Sequence, residues 1–579
     1  MKSKIFLSSF AIAALLISCS SEMDYHEYDT FGEDYIKLNF TNVDGLVSNI
    51  YSQLDYDWGD DYGGGMLASA CDEAVFSNTS ASIHDFYNGS WSASNAKGSM
   101  WTDMYAAIAD CNHYLAHFLG LTFPELKENE DYLEKMYQYK RSPFEVKALR
   151  AYFYFNLVRQ YGDVPYYTSD ISADQRNALS RTPAQAVLDS VIATCDAVVD
   201  SLPISYSDMG EYTNNETGRI NRIAVLSLKA RTALYAASPL FNTSNNKELW
   251  HRAALASKAV LDACAANAIS LGTYASTWGE TNYMSGSRYD QELIWARRVG
   301  TVSTLETRNY PVGITSSGNG GNCPSETLAE AYQTVNGYDV TLTANGYTSD
   351  DPKFNPSKPF ANRDPRFALT FACNGDTKWP TVNTTALQTY QGGTSGEPTV
   401  NATPTGYYLK KLLDGSIDLS STSKKKTSKH SWIVFRLGEF YLNYAEAVYN
   451  YLGSADAVSA EFPMSALAAV NTLRARTGVK MPAITATNFW AKYERERMVE
   501  LSFEGHRFWD LRRWKEASAK LTSVKELKIT MNTDGTLSYA PAYETRQWDD
   551  KMYLFPIPQS EILKSQKYAG GVLKQNTGW

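Results

Sequence analysis

Apolar residues recur at helical spacing in blocks along this 579-residue chain, and the blocks are separated by long stretches without a period. Val146, Leu149, Phe153 and Leu157 fall on one face of a predicted helix, because residues three and four apart lie one turn above each other. Ser142-Pro143-Phe144-Glu145 ahead of them reads as a capping box with proline at the first helical position, and Gly162 and Pro165 stop the helix. Thr182-Pro183-Ala184-Gln185 repeats the device for Val187, Leu188, Val191, Ile192, Cys195, Val198, Val199 and Leu202, which end at Pro203. The same spacing predicts helices from Ile223 to about Ala237, Leu249 to about Ala265, Trp432 to Tyr451, Ser465 to Thr477 and Phe489 to Phe503.

The recurring unit is helix, short break, helix. Ala224, Ala230, Ala233 and Ala236 are small enough to let neighbouring helices approach closely. The expected fold is therefore mainly α, with tetratricopeptide-like helical hairpins as a scaffold, although no 34-residue consensus is visible. Between the helices lie roughly 56–98, 203–218, 270–325, 335–430 and 520–560, rich in Gly, Ser, Thr, Asn, Tyr and Trp. Irregular stretches of that length are functional or disordered, and their aromatic content predicts folded loops that carry the binding surface.

The N-terminus reads as an address. Lys2 and Lys4 precede an apolar run from Ile5 to Ile17, and Leu16-Ile17-Ser18-Cys19 resembles a bacterial lipobox rather than an A-x-A cleavage site. Residues 1–18 would be removed and Cys19 acylated, with more than one acyl chain, because a single chain binds a bilayer only marginally. Ser20-Ser21-Glu22-Met23-Asp24 resembles the acidic tract that directs some Bacteroidetes lipoproteins to the cell surface. No later segment offers 18 uninterrupted apolar residues, so the expected attachment is a lipid tether at the outer membrane, facing the exterior.

A net charge of −9 excludes nucleic acid as a partner, since phosphate binding needs clustered Lys and Arg, and the one basic run, Lys424-Lys425-Lys426, sits in a Ser/Thr-rich loop. Aromatic residues reach 13%, with 39 Tyr and 13 Trp, a surplus of flat amphipathic rings such as sugar-binding surfaces use. Cys71, Cys111, Cys195, Cys264, Cys323 and Cys373 are scattered without a C-x-x-C and read as buried thiols.

Catalytic signatures are missing: the chain contains no H-E-x-x-H, P-loop, G-x-S-x-G or G-x-G-x-x-G. His113 and His117 stand four apart on a predicted helix and could share a metal, but no third ligand follows at motif spacing, so they read as a polar pair and no metal site is expected. Asp55, Asp57, Asp60 and Asp61 form an acidic loop that fails the EF-hand rule, with Asp60 where Gly belongs and Met66 where the bidentate Glu belongs. That leaves room for opportunistic calcium and no dedicated cofactor. A glycosidase would need two carboxylates at a set separation, and nothing in the sequence selects a pair.

Ordered motifs then identify the chain as similar to the SusD/RagB family over nearly its whole mature length. They are Asp72-Glu73-Ala74 with Asn88-Gly89-Ser90-Trp91, and Trp101-x-x-x-Tyr105-x-x-Ile108-x-x-x-Asn112. Leu149-Arg150-Ala151-Tyr152-Phe153 follows with Gly162-Asp163-Val164-Pro165, then Gly218-Arg219-Ile220. The C-terminal half carries Arg436-Leu437-Gly438-Glu439 to Ala447, Glu494 to Trp514, Leu554-Phe555-Pro556-Ile557-Pro558 and Gln575 to Trp579. The usual L-D-x-x-P after the lipid cysteine is replaced by Tyr25 to Tyr35. Glu494 with Arg497, and Glu500 with Glu504 and Arg507, are one turn apart and are expected to pair along a helix face, while Arg512, Arg513 and Trp514 stack and bind carboxylates. A catalytic site at Glu504 and His506 is set aside because the charges pattern as such a paired surface.

The resemblance implies one SusD-like domain over 19–579, with an N-terminal part to about 220 and a C-terminal part from about 221. It implies a non-enzymatic binding protein that delivers oligosaccharides to a SusC-like TonB-dependent transporter, over which it acts as a lid. Capture of peptides or other nutrients, as in the RagB branch, and a surface glycoside hydrolase are the alternatives. Trp91 is the first ring expected to face a glycan, because it lies in the polar loop Asn88 to Lys97 where the starch-binding member presents an aromatic. Trp278, Tyr283, Tyr289 and Tyr310 are the next, with Asn95 and Asp72 as hydroxyl partners, whereas Trp101 belongs to the core.

Overall fold

The computed structural model describes residues 32–579 except 99, 207–217, 279–289, 422, 424 and 570. Helix dominates, at 43% against 12% strand, as the periodicity predicts. The helices used below are α1 (Phe40–Ser52), α2 (Met100–His117), α3 (Tyr132–Tyr161), α4 (Ala184–Val198), α5 (Arg222–Ala237), α6 (Lys247–Ala266), α7 (Leu437–Leu452), α8 (Ala466–Ala475), α9 (Phe489–Glu500) and α10 (Arg507–Arg513). From α2 to α8 each helix packs on the next one in sequence, which is the stacked-hairpin logic the small residues suggested. Ala224, Ala230, Ala233 and Ala236 are buried in these contacts, and the six cysteines among the described residues are buried free thiols. Among the described residues no helix is long and apolar enough to cross a membrane.

Three expectations need correction. Pro143 lies inside α3, not at its start. Proline removes the N–H that would bond the Tyr139 carbonyl, and the Ser142 hydroxyl donates to that carbonyl instead, at 2.7 Å. The helix therefore runs through, and it ends at Gly162 as expected. Gly162 has φ +70°, and a Cβ there would meet Leu554 Cδ1 at 2.9 Å. The second proline signal does mark a start, but the first turn of α4 is capped from a distance, with the Ala184 amide donating to Asp163 Oδ1 at 2.8 Å.

Trp432 to Arg436 is strand rather than helix. It belongs to β2 (Ser428–Arg436), which pairs antiparallel with β1 (Leu293–Val302), and α7 begins only at Leu437. Trp432-Ile433-Val434-Phe435 is a continuous apolar run whose period cannot separate strand from buried helix, and pairing with a segment far away in sequence decides it. The third correction is the hairpin of β3 (Ser523–Met531) and β4 (Leu537–Thr545), inside a stretch expected to be irregular. Its turn contains Asp534-Gly535, with Gly535 in the left-handed region at φ +83°.

The Glu494–Trp514 motif is scaffold, but it is buried and pairs between elements rather than along one face. Glu500 receives Arg366 and Arg436 at 2.8 Å and Arg476 at 3.1 Å. Burial pushes its carboxyl up, but the three guanidinium groups outweigh burial and hold it well below the usual carboxylate range. Arg436 also binds Glu292 at 2.7 Å and Glu504 at 2.6 Å, while Lys411 meets Glu504 at 2.7 Å. Burial pushes the Lys411 amine down to about 8 despite Glu504. Arg497 pairs with Asp510 at 2.7 Å, Arg513 with Asp510 at 2.8 Å, and Arg507 with Asp72 at 2.7 Å. Arg512 stacks on Phe508, 3.5 Å from its ring centre.

Candidate functional site

The chain leaves α1 in a turn that folds over the C-terminal half of α3. Asp55 anchors it by accepting from Tyr152 Oη at 2.6 Å, Asn156 Nδ2 at 3.2 Å and Arg159 Nη2 at 3.1 Å. Gly59, at φ +80°, lets the loop close on itself, since a Cβ there would lie 2.3 Å from the Gly64 carbonyl carbon. Between this loop, the first turns of α2, α3, α5, β2 and the 504–509 turn is a cavity of about 400 Å³. Tyr56, Tyr152, Trp432 and Trp509 supply its rings. Arg297 lies over Tyr56 at 4.1 Å and Arg159 over Trp509 at 4.6 Å, which fixes both rings in place.

Its polar groups are unevenly compensated. Asp57 accepts from the Leu67 amide at 2.9 Å, yet burial pushes its carboxyl up to about 7. Asp61 is raised by burial and then by Asp103, Asp60 and Asp55. Asp60 is instead held down, because bonds from Tyr56 and Arg308 outweigh its burial. Burial drives His506 well below its ordinary range, assisted by Arg231, Arg497, Arg436 and Arg159, so it presents a neutral imidazole with one donor and one acceptor nitrogen. The cavity thus combines fixed aromatic edges, a neutral imidazole and two carboxyls, Asp57 and Asp61, raised by burial. That set suits a polar, uncharged ligand with apolar faces.

The SusD family model matches residues 268–579, more than half the chain, and a second, described as starch-binding associating with outer membrane, matches residues 32–234. The chain belongs to the SusD family. SusD-like protein P25 of Formosa agariphila is 23% identical over 479 residues, 80% of this chain and 76% of the relative. A SusD-like protein from Bacteroides fragilis superposes with a TM-score of 0.75 at 22% identity, covering 95% of this chain and 99% of that one. A SusD-like carbohydrate binding protein from the same species gives 0.69 at 20% identity, over 91% and 99%. Surface glycan-binding protein A from Bacteroides fluxus gives 0.61 at 18%, over 93% and 99%.

In this SusD-family member the rings chosen from sequence do not gather at the cavity. Trp91 is 3% exposed and sits among Phe86, Phe555 and Trp579, with ring centres 4.7, 4.8 and 5.0 Å away. A tryptophan in a polar loop looks like a binding face, but besides the nearby Phe86 its partners Phe555 and Trp579 lie hundreds of positions downstream and help bury it. Trp278 is also buried, with Lys411 4.6 Å from its ring centre, so it lids the ionic core. Tyr310 is buried and donates to the Ile417 carbonyl at 3.1 Å. Asp72 is buried and committed to Arg507. Asn95 is half-buried and ties its own loop, donating to the Ser90 carbonyl at 3.0 Å and to Asp85 at 3.3 Å. Tyr283, Tyr289 and Cys19, the residue expected to carry the lipid, lie outside the described residues.

The residues that do meet were partly signalled. The acidic run Asp55 to Asp61 reads from sequence as a solvated loop with room for opportunistic calcium, and Tyr56 between its carboxylates is the local sign of a binding wall. His506 was weighed as a catalytic residue and set aside. Trp432 was assigned to a helix, and nothing in the local pattern brings it to Trp509.

Proposed function

We propose that this chain is a cell-surface lipoprotein of the outer membrane that binds glycans without turning them over and passes oligosaccharides to a SusC-like TonB-dependent transporter. The observation that carries this reading is a cavity, in a SusD-family chain, where fixed rings border neutral hydrogen-bonding groups. A sugar offers C–H faces to rings such as Tyr56 and Trp432 and hydroxyls to Asp61 and His506, and rigid rings lose little entropy on binding. The names of the relatives, carbohydrate-binding, glycan-binding and starch-binding, point the same way.

Affinity electrophoresis through gels containing a panel of polysaccharides tests it. Retardation in at least one glycan, lost in Tyr56→Ala, is the expected result. A protein retarded by none, but binding peptides, would belong with the RagB-type reading. The hydrolase reading draws on Asp57, an acid titrating near neutrality beside other carboxylates, and release of reducing sugar by the purified protein would favour it. For the partner and anchor, a SusC-type barrel should co-purify from solubilised outer membranes, and Cys19→Ala should release the protein from them.

A further inference from the structure

The last turns of α2 present His113 and His117 on one face, ring centres 4.6 Å apart, and the structure brings to them the carboxylates the sequence left out of reach. Glu33, from the short helix Glu33–Lys37, places Oε1 3.5 Å from His113 Nε2 and Oε2 3.7 Å from His117 Nδ1. On the other side Asp170 Oδ2 lies 3.1 Å from His113 Nδ1 and 3.0 Å from His117 Nε2. One ligand atom each from Glu33, His113 and His117 falls within 4.8 Å of the others.

We propose that Glu33, His113 and His117 form a binding site for a divalent transition-metal ion of the zinc class, with Asp170 orienting both imidazoles from behind. A tetrahedral ion with bonds of 2.0–2.1 Å sets its ligand atoms roughly 3.3 Å apart, and the Glu33 oxygens stand 3.5 and 3.7 Å from the imidazole nitrogens that face them. The nitrogens turned away from Glu33 both reach one Asp170 oxygen, the arrangement in which an outer carboxylate takes the N–H of a ligating histidine and fixes its tautomer. Two neutral imidazoles with a carboxylate select zinc, copper or nickel over calcium or magnesium, which take oxygen ligands. Both histidines are about two-fifths exposed, so an ion can enter and a fourth position is left for water. Lys37 pairs with Glu33 at 2.9 Å on the surface; an exposed pair of this kind contributes little and yields to an ion. A bound ion would fasten the segment around Glu33 to α2.

The test is zinc titration of chelator-treated full-length mature protein by calorimetry, with bound metal counted after gel filtration. Wild type should bind one ion per chain and gain thermal stability from it. Affinity should fall about 10- to 100-fold in Asp170→Asn and more in His113→Ala/His117→Ala, and calcium should not compete. Glu33→Gln is exposed and keeps the fold, so it should also lose affinity and serves if the double variant unfolds. Wild type that binds no zinc, or equal binding by wild type and Glu33→Gln, overturns the proposal.

Discussion

Around Glu500 the carboxylates of Asp364, Glu292, Glu496, Glu500 and Glu504 face Arg366, Arg436, Arg474, Arg476 and Lys411 at 2.6 to 3.1 Å, their side chains at most 6% exposed. At the cavity, among the described residues, no cation stands within ion-pair distance of Asp57 or Asp61, and both carboxyls are raised. The two regions are joined through the 504–509 turn, where Glu504 faces the ionic core and His506 the cavity. Buried charges with partners hold elements together, and removing one partner strands the others. Acidic groups without a cation on a cavity wall add no ion pair to the fold, and the oxygens left over, as on Asp57 beyond its bond from the Leu67 amide, keep hydrogen-bonding capacity for a guest.

Arg436→Met gives the largest break in that contrast. It takes one cation from each of Glu292, Glu500 and Glu504, leaves the buried cluster with uncompensated negative charge, and should destabilise the protein by about 5 kcal/mol, read as the shift of the urea midpoint. Trp91→Ala comes next, at about 3 kcal/mol for a large ring lost from a packed site, with glycan retardation of the folded fraction unchanged; lost binding at undiminished stability would restore Trp91 as a contact. Asp57→Asn should act with the opposite sign. The folded carboxyl titrates at about 7 and the unfolded one near 3.9, so the stabilising protonated form is lost as pH rises through 7. The span from 3.9 to 7 corresponds to roughly 4 kcal/mol, and the partial solvent exposure of Asp57 screens it. The variant should therefore be more stable than wild type by about 2 kcal/mol at pH 8, with the gap narrowing at pH 5 in paired thermal melts. The smallest effect belongs to Asp61→Ala, which should weaken glycan binding about fivefold, roughly 1 kcal/mol for one hydrogen-bonding group, and leave the melting temperature where it was. A loss of stability there would mean that the cavity wall is scaffold as well.

How much of this was legible in the chain differed by element. α4, α5, α6, α8 and α9 follow from local spacing because one face of each meets a neighbour close in sequence. The β2 strand and the interior course of α3 past Pro143 do not, because a distant strand and a single serine hydroxyl decide them. The Asp534-Gly535 turn is a local hairpin signal, and β3 and β4 flank it. For the site the limit is geometric: Tyr56, Tyr152, Trp432 and Trp509 come from four separate segments, and no period relates them. Burial also misled in one direction. Trp91, Trp278 and Tyr310 looked like contacts because their loops are polar, whereas each is covered by residues from elsewhere in the chain.

Between α6 and α7, helices that touch, the chain makes an excursion from Asn267 to Arg436. The entropy lost in closing such a detour rises only with the logarithm of its length. Because its two ends are held by packed helices, the detour can be lengthened at little entropic penalty, so long as the Glu292, Asp364, Arg366, Lys411 and Arg436 it lends to the ionic core stay in place. It also contributes Arg297 and Trp432 to the cavity, so changes confined to this excursion reshape the cavity wall while the stacked helices stay as they are.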